Sequence, residues 1–585
     1  MERPEVFDVN MTLNRIFIRP EGKTVGTVLI FNRDTEGVKI KDNPYIPLHA
    51  SKRKIFGIIG VIQLVLCKYL IVITRRSKVD TGIRSAHSLT GVWRINKVNL
   101  IPLSPGRRVL TAQQKESNEE YILMVLSALN TGDFYYSHHN DLTVSLRQSQ
   151  VPKEGDRDAF IWNEVLLHDL IKIRGLDKYC IRIMNGFIRI NYLKYLSEVL
   201  VFSMVSRRWN KRVGPRFFKT GINDDGEAAN FVETEVLLEG TNVISSFIIL
   251  GASVPLVWDQ WPNLSWNPKP TVANPEFQIS PFNKHFEYLS KRYGDKLLVI
   301  DLSQHNAYGT SIHHLYQQMA LKSGDVKIKF MELDLKDCQR KKRRKMDEDL
   351  VKEVDEIGFT LMQNDVLVIP QKGTIRVSSL DCTEYTNVAQ SILTNIVLSN
   401  MLKVTVRPDI QKSVTNFELQ AMQKIYNRSW LLHGDVLANH YIGTIARNGQ
   451  MLDPDTKCRR NIYELWIPFK RWYVNNFECG FRQDSLDLIL GHYKMTSKRN
   501  HPTLSKFGSF KILVLDYILP GIMTFITLHL INYFVEFFDE VLYHEEEKCV
   551  TMWSLGVLVT WILFHGILHH YVDEPKLYTK KPQPL

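Results

Sequence analysis

Two apolar runs near the C-terminus constrain this chain more than any other feature. Ile512 to Val535 offers 24 residues with one formal charge, Asp516, and Val550 to Leu568 offers 19 whose only titratable group is His565. At about 1.5 Å per residue, either run as a helix matches a hydrocarbon layer of roughly 30 Å. Together they read as a transmembrane hairpin within residues 511–570, in preference to a buried helical pair. Pro520 and Gly521 inside the first run are tolerated in a bilayer, and Asp516, near one end, is placed to snorkel or pair. The segment between the runs is acidic, whereas Lys498, Arg499, Lys506 and Lys511 precede the pair and Lys576, Lys580 and Lys581 follow it. The positive-inside rule therefore puts both termini in the cytosol, with 571–585 as a cytosolic tail. An earlier run, Ile55 to Thr74, is interrupted by Gln63 and Lys68 and is rich in Ile and Val; it predicts two strands, not a span. The opening ten residues lack an apolar core, so no secretory leader is expected.

Composition narrows the remainder. Of 585 residues, 44% are hydrophobic and 23% charged, which sets aside disordered and collagen-like classes. The seven cysteines are odd in number and scattered, with no Cys-x-x-Cys, as expected of reduced thiols without a zinc site or disulfide framework. A net charge of +12 suits anionic lipid or phosphorylated ligands, and nucleic acid is not the expected partner. The densest basic run, Arg340 to Lys345, is followed at once by Asp347, Glu348 and Asp349, so its field partly cancels. It reads as a solvated helix face, with contact to anionic lipid as the functional alternative.

Residues 1–180 alternate β-rich runs with turn residues and predict a largely β N-terminal subdomain. Across 181–505, β-rich runs such as Val236 to Val254 and Lys296 to Asp301 alternate with helical stretches such as Thr310 to Ser323 and Lys345 to Ile357, the pattern of an α/β (α+β) subdomain. His501 to Phe510 reads as a short linker. Within the second subdomain, Val366 to Ile369 predicts a buried strand, Arg376 to Tyr385 a short polar loop, and Thr386 onward a helix carrying Val388, Ile392, Ile396 and Val397 on one face. A strand-loop-helix unit is suited to holding an anion, because unpaired N–H groups and the helix dipole point into the loop.

The stretch QKGTIRVSSLDCTEYTNVAQ resembles the signature of the Sac-domain phosphoinositide phosphatases, Arg-x-Asn-Cys-x-Asp-Cys-x-Asp-Arg-Thr-Asn. Similar stretches include NFVETE (Asn230 to Glu235), SVPLVW (Ser253 to Trp258), Pro262 to Leu264, Lys284 to Phe286, His433 to Asp435 with Tyr441 to Thr444, and NNFECGFRQDSLDLILG (Asn475 to Gly491). With the hairpin, the resemblance covers nearly the whole chain and is closest to the membrane-anchored endoplasmic reticulum and Golgi branch. It implies a two-part Sac domain with a phosphate loop at 376–387, a phosphoinositide ligand such as phosphatidylinositol 4-phosphate, catalysis through a phosphocysteine, and no cofactor or metal.

Arg376, Asp381, Cys382, Thr386 and Asn387 match that signature. Ser379 stands at the nucleophile position, Tyr385 at the phosphate-clamping Arg position, Ser378 replaces the family Asn and Glu384 the second Asp. A hydroxyl needs an adjacent general base where a loop cysteine is already a thiolate. Asp381, as an ionised carboxylate, is a weak base. Loss of the guanidinium removes a bidentate clamp, and transition-state cations of this kind are worth roughly 1000-fold or more in rate. Cys382 is no substitute, since Val388 lies six positions on. Gly251 and the KTGI stretch at Lys219 to Ile222 also stand where the family tends to have basic residues, so cationic contacts are thinned. His433, Gly434, Asp435 and Arg482 are retained, as ligand contacts or as structural residues. The expected function is a catalytically impaired Sac homologue, anchored by two transmembrane helices in the endoplasmic reticulum or Golgi membrane and acting by phosphoinositide or partner binding. An active phosphatidylinositol 4-phosphate phosphatase and a structural membrane adaptor are the alternatives.

Overall fold

The computed structural model describes residues 4–495 and 572–577, apart from 24–25, 48–49, 80–88, 107–108, 132, 151–158, 196–197, 304–308, 324–327, 334, 336–347, 381, 407–415, 448 and 454–456. Both apolar runs, the linker before them, the basic run at 340–345 and Asp381 lie outside the described residues. Among the described residues no helix is long and apolar enough to cross a membrane.

The chain opens with a five-stranded antiparallel sheet of β1 (Phe7–Met11), β2 (Arg15–Pro20), β3 (Thr27–Asn32), β4 (Val38–Asp42) and β5 (Ser51–Ile55), in the order β4-β3-β2-β1-β5. A thirteen-stranded sheet follows. Its antiparallel part runs from β6 (Ile58–Gln63) and β7 (Lys68–Lys78) through β8 (Val92–Pro102), β9 (Phe134–Ser137), β10 (Met184–Tyr195), β11 (Glu198–Arg208) and β12 (Val232–Glu239) to β13 (Val243–Ser253). The apolar stretch from Ile55 thus folds as the expected two strands, β6 and β7, which pair antiparallel. Strands from either side of residue 180 share this sheet, because β10 pairs with β9. Helices α1 (Ala112–Asn130), α2 (Leu146–Gln150) and α3 (Glu164–Ile171) lie in its connections. Thr111 caps α1 in a capping box with Gln114, which satisfies two N–H groups the helix start leaves open.

Beyond β13 lie a short hairpin of β14 (Trp258–Asp259) and β15 (Thr271–Val272), then α4 (Ile279–Tyr293), β16 (Lys296–Asp301), α5 (Gly309–Lys322), β17 (Ile328–Glu332) and α6 (Glu348–Ile357). β18 (Thr360–Gln363) and β19 (Val366–Ile369) form a hairpin, and β20 (Gly373–Ser379) completes the sheet. The large sheet turns parallel in this region: β20 inserts between β13 and β16, parallel to both, and β17 continues the parallel run. A strand between two parallel neighbours is covered on both faces, and all seven residues of β20 are buried.

Two sequence expectations need correction here. Val366 to Ile369 is a strand but not a buried one: Val366 is 65% and Val368 51% exposed, because β19 pairs only with β18 at the sheet margin. Arg376 to Ser379, expected in a loop, belongs to the buried strand β20. Its small hydroxyl residues look loop-like in sequence but find partners inside the sheet.

The C-terminal helices are α7 (Glu384–Thr405), α8 (Asn416–Ile442), α9 (Lys457–Phe477) and α10 (Cys479–Ile489). One core cluster joins α7 and α8 to the sheet through Val388, Leu393, Val397, Trp430, Val236 and Val377. Another joins α4 and α5 to the sheet through Phe282, Phe286, Tyr316, Val299 and Leu250. The α/β expectation for this half holds, with helices on both faces of the parallel strands.

Candidate functional site

In open α/β sheets, ligands bind outside the carboxyl ends of parallel strands. Here β13 ends at Ser253, β20 at Ser379 and β16 at Asp301, with Ser253 opposite Ser379 and Asp301 opposite Ser378. The chain leaves β20 at Ser379 and starts α7 at Glu384, so the strand-loop-helix unit is present, with a loop shorter than the sequence suggested.

Ser379 and Cys382 lock the turn to itself. The Ser379 Oγ accepts a hydrogen bond from the Cys382 N–H at 2.8 Å and shares another with the Thr386 hydroxyl at 3.0 Å. The Cys382 thiol donates to the Ser379 carbonyl at 3.1 Å. Cys382 has a φ of 46°, a left-handed conformation unfavourable for a side chain, and its carbonyl is held by the Asn230 Nδ2 at 3.1 Å. Ser379 is 6% exposed. Its hydroxyl partners among the described residues are a backbone amide and another hydroxyl, neither of which can take its proton at neutral pH.

His433 is tied to the start of α7 through Asn387. Its Nδ1 lies 2.6 Å from the Asn387 Oδ1, which can only accept, so Nδ1 carries the proton and Nε2 accepts from the Thr234 hydroxyl at 3.3 Å. The Asn387 Nδ2 donates to the Trp430 carbonyl at 2.9 Å. Burial lowers the His433 pKa to about 3, and the ring is neutral at physiological pH. Gly434 makes this approach of α8 to α7 possible, since a Cβ there would sit 2.4 Å from the Asn387 Nδ2.

Arg376 lies in the sheet and is 1% exposed. Its Nη2 donates to the Ser253 carbonyl at 2.7 Å, its Nε to the His285 Nε2 at 3.0 Å, and its Nη1 to the Ser378 hydroxyl. The His285 Nδ1–H then donates to the Gly226 carbonyl at 2.8 Å; burial first, and the Arg376 charge second, hold this imidazole well below its ordinary pKa. These bonds make Arg376 a fastener between β20, the end of β13 and α4.

Glu384 turns to basic neighbours: its Oε1 accepts from the Arg447 N–H at 2.6 Å and from the Arg471 Nη2 at 2.5 Å. Tyr385 is half-buried and packs against the core under α7. At Gly251 a Cβ would already lie 3.1 Å from the Gln390 Nε2 and 3.4 Å from the Thr386 Cγ2, so any side chain there presses on the Gln390 and Thr386 side chains of α7. Arg482 stands apart: its Nη2 donates to the Asn439 and His440 carbonyls, both at 2.9 Å, at the end of α8. The Asp435 carboxylate accepts from the Ala446 N–H at 3.2 Å.

The structure thus brings together Ser379, Cys382, Thr386, Asn387 and His433, sets Arg376 beneath them, and ties Glu384 to Arg471. Sequence reasoning missed Asn230, Thr234, Ser253, His285 and Arg471. The first four lie in stretches noted for their resemblance, but their partners are 91 or more residues away and no spacing reveals the pairing. Among the described residues no group of His, Cys, Asp and Glu is arranged to hold a metal ion.

Residues 56–340 match the family described as SacI homology domain. Over 98% of both chains, the sequence is 30% identical to a Danio rerio protein named phosphatidylinositol-3-phosphatase SAC1-B. It is 30% identical to the Arabidopsis thaliana phosphoinositide phosphatase SAC8, over 75% of each chain. Against the Drosophila melanogaster phosphatidylinositol-3-phosphatase SAC1 it is 27% identical, over 90% of this chain and 89% of that one.

Proposed function

Because the chain belongs to the Sac-domain phosphoinositide phosphatase family, we propose that it is a catalytically impaired member that acts by binding phosphoinositide or a protein partner. The observation carrying this reading is the pair Ser379 and Tyr385. The hydroxyl at the nucleophile position is engaged by a backbone amide and Thr386, with no base beside it among the described residues, and the residue at the clamp position is an aromatic ring packed on the core. In this reading the loop keeps its shape through Cys382, Asn230, Asn387 and His433, and the start of α7 supplies N–H groups for weak headgroup contact. The relatives' names speak for a 3-phosphatase, whereas the signature resemblance points to the 4-phosphate, so the headgroup is tested with both.

We further place the protein in the endoplasmic reticulum or Golgi membrane, anchored by the hairpin within 511–570, with a subdomain boundary near residue 180. The tail supports the topology. Asp573 accepts from the Phe481 N–H at 2.7 Å, and Asp484 accepts from the Lys576 and Leu577 N–H groups. A tail that touches α10 lies on the same side as the domain, which requires an even number of crossings between residues 495 and 572.

The test is phosphate release from phosphatidylinositol 3-phosphate and 4-phosphate by the full chain in detergent, beside a Ser379→Cys/Tyr385→Arg variant. The natural chain is expected to stay at background while still sedimenting with phosphoinositide vesicles in a salt-dependent manner. Turnover by the natural chain that Ser379→Ala abolishes would overturn the reading.

A further inference from the structure

Several aromatic side chains on one face of the molecule are exposed, without apolar cover among the described residues. Trp466 is 69%, Trp266 66% and Phe469 44% exposed. Trp466, Phe469 and Lys470 lie at i, i+3 and i+4 of α9 and so share one side of the helix. Trp266 joins them by packing on Trp472, with ring centroids 6.0 Å apart, and Phe469 packs on the same ring, also at 6.0 Å. The loop bearing Trp266 is held in place: the Trp472 Nε1 donates to the Leu264 carbonyl at 2.7 Å, and the Leu264 N–H donates to the Asn476 Oδ1 at 3.0 Å. Lys269 and Lys470 are exposed beside the rings. Rigid tryptophans interleaved with lysines have the composition of a surface seated at a bilayer's headgroup level, where an amphipathic ring and a cation are both accommodated.

A second, independent observation places this face. Val572 packs against the cluster of Leu264 and Phe477, on which Trp472 and Tyr473 also pack, and the Asp573 N–H donates to the Asn476 carbonyl at 2.8 Å. Val572 follows the last residue of the second apolar run, Leu568, by four positions. Four residues span at most about 14 Å, so the end of that run is tethered within this distance of the aromatic cluster.

We propose that the face formed by Trp266, Trp466, Phe469, Lys269 and Lys470 is a membrane-contact surface, and that its occupant is the headgroup region of an anionic bilayer. The inference rests on the reading that the two apolar runs anchor the chain. Its consequence is orientation. Arg471, one position from Lys470 on the same helix, holds Glu384 at the first turn of α7, so seating α9 on the bilayer brings the rim of the candidate site to the lipid headgroups. The domain then presents one fixed side to the membrane and does not tumble on its tether.

The test uses the full chain reconstituted in vesicles of phosphatidylcholine and phosphatidylserine, with photoreactive p-benzoylphenylalanine placed at position 466, 469 or 321. Leu321 on α5, 83% exposed, is the control for an apolar side chain in solvent. Resistance to alkaline carbonate extraction reads the anchor separately from the face. Lipid adducts several-fold more abundant at 466 and 469 than at 321, and reduced when phosphatidylserine is omitted, are the expected result. In carbonate-resistant protein, adducts at 466 and 469 no higher than at 321 overturn the proposal, as do adducts predominantly to protein. If the chain is extracted by carbonate, the anchor reading fails; the face is then judged by adding the same labelled chain to preformed vesicles, where equal yields at all three positions overturn it.

Discussion

At Asn387 one amide serves three partners, and the start of α7 depends on all of them. Its Oδ1 fixes the tautomer of His433, its Nδ2 caps the Trp430 carbonyl, and its close packing requires Gly434 to have no side chain. Replacing Asn387 with Leu leaves the His433 Nδ1–H buried without its acceptor, at about 1–3 kcal/mol, and removes from the Trp430 carbonyl a donor additional to the backbone bonding of α8. Asn387→Leu is therefore expected to lower stability by about 1–3 kcal/mol in urea unfolding, and a loss below about 0.5 kcal/mol would sink this account of the network. Gly434→Ala forces a Cβ into the Asn387 amide and is expected to cost about 1–3 kcal/mol. At this scale the sequence was partly legible. The residue types at 379, 382, 386 and 387 could be aligned with a known loop, and the loss of cysteine and arginine chemistry followed from them. The commitments of Arg376 to Ser253 and His285, and of Arg482 to the end of α8, could not be read, because a guanidinium that holds a carbonyl looks in sequence like one that holds a phosphate.

Among the elements, β19 and β20 show why an apolar run is a poor guide to burial. The run Val366 to Ile369 is wholly apolar yet sits on the margin, whereas GTIRVSS is half polar and fully enclosed. Hydroxyl groups on β20 tolerate the interior because Tyr316 meets Ser378 at 3.2 Å and Thr374 donates to the Ile248 carbonyl at 3.3 Å. The contrast predicts that Val368→Thr changes stability by less than about 0.5 kcal/mol. Val377→Ala on β20 is expected to cost about 1–3 kcal/mol through lost burial and a residual cavity. Equal losses from the two substitutions, compared by chemical denaturation, would contradict this placement of the strands. Strand β16 and helix α5 were legible because length and periodicity agreed with their burial, whereas the single β-rich run Val236 to Val254 folds as the antiparallel pair β12 and β13. The position of β20 inside the sheet was not, since it depends on β13, about 120 residues earlier in the chain, offering a parallel edge.

For the whole molecule, the docking of the tail on α10 couples the far end of the chain to pH. Burial raises the Asp484 pKa to about 7, against the N–H donors of Lys576 and Leu577, with Asp487 and Asp573 adding to the rise. Asp573 is raised to about 6, again chiefly by burial, although Phe481 and Lys576 oppose it. Glu120 on α1 is raised to about 7 for the same reason, and Lys576 pulls it down. A carboxyl group with a folded pKa above its unfolded value of about 3.9 binds its proton more tightly when docked. The contribution to docking is thus complete below about pH 4 and is lost as pH rises through about 6 to 7, the values for Asp573 and Asp484. Hydrogen exchange of the peptide covering Val572 to Leu577, expressed as protection relative to intrinsic rates, is expected to be lower at pH 8 than at pH 5.5. Asp484→Asn keeps an acceptor for the Lys576 and Leu577 amides but carries no charge, so it should flatten part of that dependence while leaving the tail docked, Asp573 and Glu120 carrying the rest. Protection that rises with pH in the natural chain, or an Asp484→Asn tail that titrates as steeply as the natural one, would show that other groups govern the contact. Loosening of the tail at higher pH would free the end of the second apolar run from the Trp472 cluster, and so weaken the hold of the domain on its proposed bilayer face.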